Sequence, residues 1–489
     1  MGKAAVLRLF WFKELRVAEP LSRPEVRITL AGVALALFMG SLDQTIVATA
    51  LPKIARDLGG LSGYSGVVTA YLIASTAVMP IVGKLGDVYG RKPFLVGGML
   101  WFTLASALCG AAHGMGELIA FRALQGLGAG VMMSTASTTI ADLFSPAQRG
   151  KVIGLIIPLT SVSSVLGPLV GGWLTDGPGW PFIFFVNLPL GLLGAGFLAR
   201  FAPPIRHQEV KDFKIDYAGV TALVASVVPL LLALNGIDQD HPWFSPPILG
   251  MAALGLGLGA VFAWVERKAA HPILPPELFG YSIVVISQLS AALVTAGALG
   301  IAFFVPLFVQ GVWGESARSS GATLLWFSFT MVAGISVTAP LVSRLGRYKA
   351  FGIVGPLVAA LGGIFLARLG PLSSHNWLKL DLAVMGLGLA ACAAIYNLAS
   401  QNAVPLSLLG SATSMINFMR AIGASLGVAL FGSILNAREP RDGLAPALGA
   451  IFTVIPCLFG LVALMALFLK EKPLRKTNRG EGTVSDEGK

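Results

Sequence analysis

Charge is scarce in this sequence. Asp, Glu, Lys and Arg make up only 12% of its 489 residues, about half of the roughly 25% usual in a soluble chain. A larger soluble core does not explain this, because its surface must still be wetted. Cysteine is nearly missing too. Cys109, Cys392 and Cys457 all fall in apolar runs and no C-x-x-C spacing occurs, which argues against a zinc site or a disulfide framework. The sequence contains no G-x-x-x-x-G-K-[ST] phosphate loop and no H-E-x-x-H, the patterns that ATP-driven work and zinc hydrolysis call for. GASLG, Gly423 to Gly427, fits G-x-S-x-G, but no histidine follows Ser425 and the surrounding segment is an apolar helix rather than a strand-to-helix turn. We read it as small-residue packing. No enzyme, cofactor or metal site is expected.

What fills the sequence is hydrocarbon. Residues of the apolar set make up 55% of the chain and glycine contributes 59 positions. Repeated apolar runs of about twenty residues indicate a polytopic α-helical membrane protein, and the glycines fit helices packed backbone to backbone in lipid. Fourteen segments qualify: 28–51, 64–84, 94–112, 116–143, 151–175, 180–200, 216–236, 246–266, 281–310, 317–340, 350–369, 379–404, 412–437 and 445–470. The N-terminus has no signal-peptide pattern, so the first run is expected to be an uncleaved span. Before it, Val6 to Val17 reads either as an amphipathic helix on the membrane surface or as a loose basic tail.

Basic residues choose the sidedness. Of the 35 Lys and Arg, only Lys53, Arg56, Arg318, Arg368, Lys379, Arg438 and Arg441 fall on one set of loops, and Arg122 and Arg420 within spans. The rest lie on the other side, which the positive-inside rule makes cytoplasmic. Both termini are then expected in the cytoplasm of a cell (inner) membrane protein. The net charge of +11 is a face beside anionic lipid and needs no nucleic acid.

The chain also repeats itself. PIVGKLGDVYGRKPF follows the second span and PLVSRLGRYKAF the tenth, with Pro80, Leu85 and Gly86 matching Pro340, Leu345 and Gly346 at an offset of 260 residues. The expected organisation is a cytoplasmic segment 1–27, a six-helix bundle 28–200, a linker 201–280 with two extra helices, a second six-helix bundle 281–470 and a tail 471–489. Duplicated halves are a recurrent transporter architecture.

Among 24 Asp and Glu, only Asp43 lies well inside a span, while Asp142 and Asp381 sit near span ends. An intramembrane carboxylate is a functional candidate, with a neutral Asp hydrogen-bonded to a neighbouring helix as the alternative. Burial disfavours its charged form and a nearby cation favours it, so a balanced group can load and release a proton. Arg122 lies at similar depth in the fourth span and can pair with it, or snorkel to the interface. The inner turn from Gly83 to Lys92 holds Asp87 among bases, with Gly90 and Arg91. Asp87 can cap a helix N-terminus and form a latch that breaks in the other conformation, or it is ordinary turn chemistry. Gly167, Pro168, Gly171 and Gly172 in the fifth span suit a hinge or a tight seal between halves, with plain packing as the alternative. Gln44, Tyr71, Gln125, Tyr396, Asn397, Gln401, Asn417 and Arg420 are polar or amphipathic groups at membrane depth and candidates for substrate contact. Arg420 can bind an anionic group or pair with backbone carbonyls, and the sequence favours neither.

Together these stretches resemble a known family. GKLGDVYGRK resembles the loop signature of the major facilitator superfamily, RALQGLGAG its fourth-helix motif and GPLVGG the fifth-helix motif of its antiporters. LDQTIVATALP, IDYAG and HPILPPELF are similar to the fourteen-span drug:proton antiporter branch. The resemblance covers 28–470. It implies two six-helix bundles plus two extra central helices around a cavity that opens alternately to each side. It implies proton coupling at Asp43, proton relay at Arg122 with Gln125 and Gly126 extending that motif, a charge network of Asp87, Arg91 and Asp142 that locks the outward-open state, and a hinge at Gly167, Pro168, Gly171 and Gly172. Val88 departs from the usual arginine of the loop. The tenth span lacks the extra acid of relatives that expel divalent cations, which favours monovalent, neutral or amphiphilic cargo.

The expected function is therefore proton-driven export of lipophilic or monocationic drugs. The expected partners are small lipophilic substrates, protons and membrane lipid, with the chain a monomer. Export of lipids or another endogenous amphiphile keeps the same fold, and a non-transporting membrane receptor is a distant alternative.

Overall fold

A computed structural model describes residues 23–143, 162–203, 217–235, 244–268, 276–405 and 408–472. The stretch Val6 to Val17 and residues 151–161 of the fifth segment lie outside them.

Each of the fourteen apolar segments contains a helix. These are α1 (Arg23–Asp57), α2 (Tyr64–Tyr89), α3 (Arg91–Gly110), α4 (Met115–Leu143), α5 (162–176), α6 (Phe182–Phe201, broken at Val186), α7 (Tyr217–Asn235), α8 (Pro246–Lys268), α9 (Ser282–Gly311), α10 (Ala317–Leu345), α11 (Lys349–Leu366), α12 (His375–Ala403), α13 (Leu409–Asp442) and α14 (Leu444–Leu467). Helix is what hydrocarbon demands, since every backbone polar group must be satisfied within the segment. Among the described residues, ten helices are long and apolar enough to cross a membrane.

Several helices outrun the apolar segments. α13 has 34 residues, roughly 51 Å of helix against about 30 Å of hydrocarbon. An apolar run reports only the embedded part of a helix, so the sequence underestimates its length.

Helix ends follow local chemistry. Ser316 caps α10 by accepting from the Ser319 amide at 3.1 Å, and Ser374 accepts from Asn376. The matched glycines of the repeat part company here. Gly346 ends α10 with φ 67°, whereas α2 continues through Gly86 and reverses at Gly90, φ 88°. Gly86 instead makes room for a side chain, since a Cβ there would lie 2.6 Å from an Arg91 guanidinium nitrogen.

The 260-residue repeat extends to how helices pair. In the first half, α4 packs against α1, α2 and α3, and α6 against α1 and α3. In the second, α12 packs against α9, α10 and α11, and α14 against α9 and α11. The glycines that allow this recur at the same offset. A Cβ on Gly128 would meet the Phe102 amide of α3 at 2.7 Å, and one on Gly388 the Gly355 carbonyl of α11 at 2.6 Å. Neighbouring Gly126 and Gly386 lie against the backbones of α2 and α10. Close backbone approach of this kind drives helix association in lipid.

The halves meet where α1 touches α9 and α10, and where α2 touches α13. α7 lies against α2 and α13, with α8 outside it. Only 11% of the apolar stretch of α8 is buried, against 67% for α9. Its exposed Leu249, Leu254, Leu256 and Trp264 suit a lipid-facing helix.

Candidate functional site

The site is built on α1, α3, α4 and α6. Asp43 sits in mid-α1, and the close α2–α4 packing at Gly126 brings Arg122 and Gln125 of α4 to it. Arg122 Nη1 donates to Asp43 Oδ2 at 2.7 Å and to Gln125 Oε1 at 2.5 Å. Gln125 Nε2 then donates to Asp43 Oδ1 at 2.9 Å, so the amide's orientation is fixed from both ends. Arg122 does not snorkel.

A third donor comes from a residue the sequence analysis missed. Asn187, at the start of the longer part of α6, donates from Nδ2 to Asp43 Oδ1 at 3.0 Å and to Ser106 Oγ at 3.0 Å. Ser106 in turn donates to the Phe184 carbonyl at 2.9 Å. This backs Asn187 against α3 and the short helical turn before it. Its only sequence signal is an amide beside a helix break in NLPLG.

Below the guanidinium lies the Tyr71 ring, 4.1 Å from Arg122 Cζ to its centroid, with Phe184 at 5.9 Å. Such rings attract a desolvated cation. Gln44 lies beside the Tyr71 hydroxyl. Asp43, Arg122, Gln125 and Asn187 are each at most 1% exposed. Three donors surround Asp43, an arrangement that suits the ionised carboxylate. Breaking a buried pair by removing one partner typically costs about 3–5 kcal/mol, so the Asp43–Arg122 contact holds the whole cluster together. That is the chemistry the site offers: a buried carboxylate and guanidinium held as an internal ion pair.

A second feature joins the halves, at the end where α1, α5 and α9 finish. Gln310 Nε2 donates to the Thr49 carbonyl and to Ser320 Oγ, both at 2.8 Å. Arg56 donates to the Gln310 carbonyl, and the Tyr64 hydroxyl to the Phe303 carbonyl. Asp176, at the end of α5, accepts from the Ala317 amide at 3.2 Å and the Arg318 amide at 2.7 Å. A carboxylate of one half thus caps the first turn of α10 in the other. The glycines of α5 form the seam beneath. Gly167 and Gly171 lie on Thr45 and Ile46 of α1, and Gly172 on Ala317 and Arg318.

The remaining candidates scatter. Tyr71 and Gln125 belong to the buried cluster and face no open space. Tyr396 is 1% exposed and donates to the Gly352 carbonyl of α11 at 2.8 Å, so it ties two helices together. Gln401 donates to Asn397 at 3.3 Å and to Thr413 of α13 at 3.0 Å. Asn417 is exposed, and half-buried Arg420 donates to the Ala393 carbonyl at 3.3 Å. Arg91 is buried against Gly86. The side chains of Asp87 and Asp142, and the surroundings of Gly83 within α2, lie outside what the structure describes. Asp381 is buried about two turns into α12, far in sequence from the α1–α4 cluster.

Comparison with known proteins agrees with this architecture. The chain is 39% identical over 428 residues to the multidrug transporter protein MdtP of Bacillus subtilis (strain 168), covering 87% of this chain and 78% of that one. It is 35% identical over 408 residues to multidrug resistance protein 3 of the same strain, covering 83% and 79%. Among solved structures, the fold matches a D-xylose-proton symporter with TM-score 0.64 at 14% identity, over 90% and 97% of the two chains. It also matches the peptide transporter POT in complex with sulfate, with TM-score 0.63 at 17% identity, over 90% and 94%. Residues 33–428 match the Major Facilitator Superfamily, and the chain, a multi-pass membrane transporter and not an enzyme, belongs to that family.

Proposed function

We propose that this protein is a proton-coupled exporter of lipophilic or monocationic drugs and similar amphiphiles, working by alternating access. The observation that carries the reading is the Asp43–Arg122 pair, held at 2.7 Å in a pocket closed to water. The multidrug names of the two Bacillus relatives support the cargo class. In this reading all fourteen helices span the inner membrane as a six-plus-two-plus-six arrangement, with both termini cytoplasmic. The seam at Gln310 and Asp176 then shuts the outer face, and Asp43 is ionised, its proton already released inward. Opening outward breaks the seam, admits a proton to Asp43 and frees Arg122. Substrate and proton bias the same inward–outward equilibrium through their differential affinities for its two states. Asp87, Arg91 and Asp142 latch the inner face in the opposite state, and the α5 glycines act as the pivot.

Ethidium efflux from cells making wild-type or Asp43→Asn protein tests this, with and without a protonophore, at matched expression. Efflux that the protonophore stops and Asp43→Asn abolishes is expected. Wild-type efflux by the variant overturns the role of Asp43.

A further inference from the structure

The two halves treat their intramembrane arginines differently. Arg122 is surrounded by a carboxylate, an amide and two aromatic rings. Arg420, in α13 of the second half, has one partner among the described residues, the Ala393 carbonyl of α12. At 3.3 Å that bond lies beyond the usual 2.7–3.2 Å range. A guanidinium carries five donors, and a single dipole does not neutralise a cation at membrane depth, where an unpaired charge is costly. No carboxylate among the described residues lies within ion-pair distance of it. Asp381, the acid of α12, is twelve residues from Ala393, about 18 Å along the helix.

Arg420 also sits at the head of a polar strip. α12 and α13 run antiparallel, so Ala393 is level with Arg420 and Gln401 with Thr413, as their hydrogen bonds record. Asn397 lies between these levels, and Asn417 is one turn from Arg420 on α13. Eight residues of α12 separate the two bonds, roughly 12 Å of helix. Along that length Asn417 is exposed, while Asn397, Gln401, Thr413 and Arg420 are partly exposed. A row of amides headed by an unneutralised cation, open on one side, is chemistry for a ligand. It serves packing poorly, since apolar side chains fill such a seam without the desolvation cost.

We propose that the α12–α13 strip is a substrate subsite in which Arg420 binds an anionic group, a carboxylate, sulfonate or phosphate, of an amphiphilic substrate. This rests on the transport reading above and extends its substrate class: anionic or zwitterionic amphiphiles join the monocations. The strip's amides receive the polar neighbours of that group, while the apolar body lies against the surrounding bundle. The Asp43 cluster in the other half stays free for the proton.

Rhodamine 110 and its methyl ester, rhodamine 123, test this, because they share a ring system and differ in one carboxylate. Binding of each to the purified full-length protein in lipid nanodiscs is measured by fluorescence anisotropy, for wild type, Arg420→Gln and Arg420→Lys. Arg420→Gln is expected to weaken rhodamine 110 at least tenfold and rhodamine 123 less than twofold, with Arg420→Lys recovering part of the loss. Retained rhodamine 123 binding reports a folded variant. Equal weakening of both probes overturns the proposal in favour of a packing role, and no weakening of either, or no binding of rhodamine 110 by wild type, overturns it outright. Binding in nanodiscs needs no proton gradient. Efflux insensitive to a protonophore would therefore refute proton coupling and leave this subsite standing, and the converse also holds.

Discussion

Gly321 of α10 lies directly on the Pro168 carbonyl of α5, and a Cβ at Gly321 would overlap that oxygen. The contact joins one half of the molecule to the other at the end where α1, α5 and α9 finish. Since the obstacle is backbone, the neighbour cannot swing aside. Gly321→Leu is expected to disfavour this conformation by more than tenfold. Labelling by a membrane-impermeant maleimide at an introduced Thr49→Cys, in a background without Cys109, Cys392 and Cys457, reads the change. Faster labelling from outside in the Gly321→Leu variant is the expected outcome, because Thr49 is fully buried beneath the seam.

Asp176 acts on the same equilibrium through its cap on α10. Losing a helix cap costs about 1 kcal/mol, so Asp176→Ala should open the seam by roughly fivefold in the same labelling assay. Asp176→Asn, which keeps an acceptor oxygen, should fall between. Labelling of Asp176→Ala at the wild-type rate would show that the cap does not hold the seam.

Asn187 predicts a pH effect. Asn187→Ala removes one donor from Asp43 and should lower efflux several-fold, in line with the ~1–3 kcal/mol cost of an unmet buried hydrogen bond. Asn187→Asp puts a second carboxylate against the first, and two carboxylates that share a site retain a proton between them to higher pH. Its efflux optimum should therefore move upward on the pH scale. A pH profile unchanged in Asn187→Asp would remove Asn187 from the proton site.

Tyr396 should behave as a structural residue. Tyr396→Phe loses the bond to Gly352 and is expected to lower stability by about 1 kcal/mol without changing the ratio of ethidium to rhodamine 123 efflux. A changed ratio at equal expression would return Tyr396 to the substrate site.

How much of this the sequence discloses depends on how rare a signal is. Asp43 and Arg122 stand out because charge within apolar segments is scarce, and similar depth is enough to suggest that they meet. The repeat is legible at Pro80 and Pro340, and its 260-residue offset recurs in the packing glycines Gly128 and Gly388. Facing is another matter. Tyr71, Gln125 and Tyr396 lie at membrane depth like Asn397 and Gln401, but periodicity does not tell which side of a nearly all-apolar helix looks inward, and only the latter pair is partly exposed. Asn187 carries no charge, so only its amide beside a helix break marks it until α6 is placed beside α1. Asp176 sits outside the apolar runs and reads as a loop acid, because a cap across two halves depends on a contact 142 residues away in sequence.

The central claim is exchange of a proton for substrate through Asp43. Its most direct measurement uses proteoliposomes loaded with a pH-sensitive dye and given ethidium, in wild-type and Asp43→Asn forms. Wild-type protein should move protons against ethidium, seen as a dye response that a protonophore collapses, and Asp43→Asn should give none. Ethidium movement without any proton signal in wild type, or an undiminished proton signal in Asp43→Asn, would contradict the account.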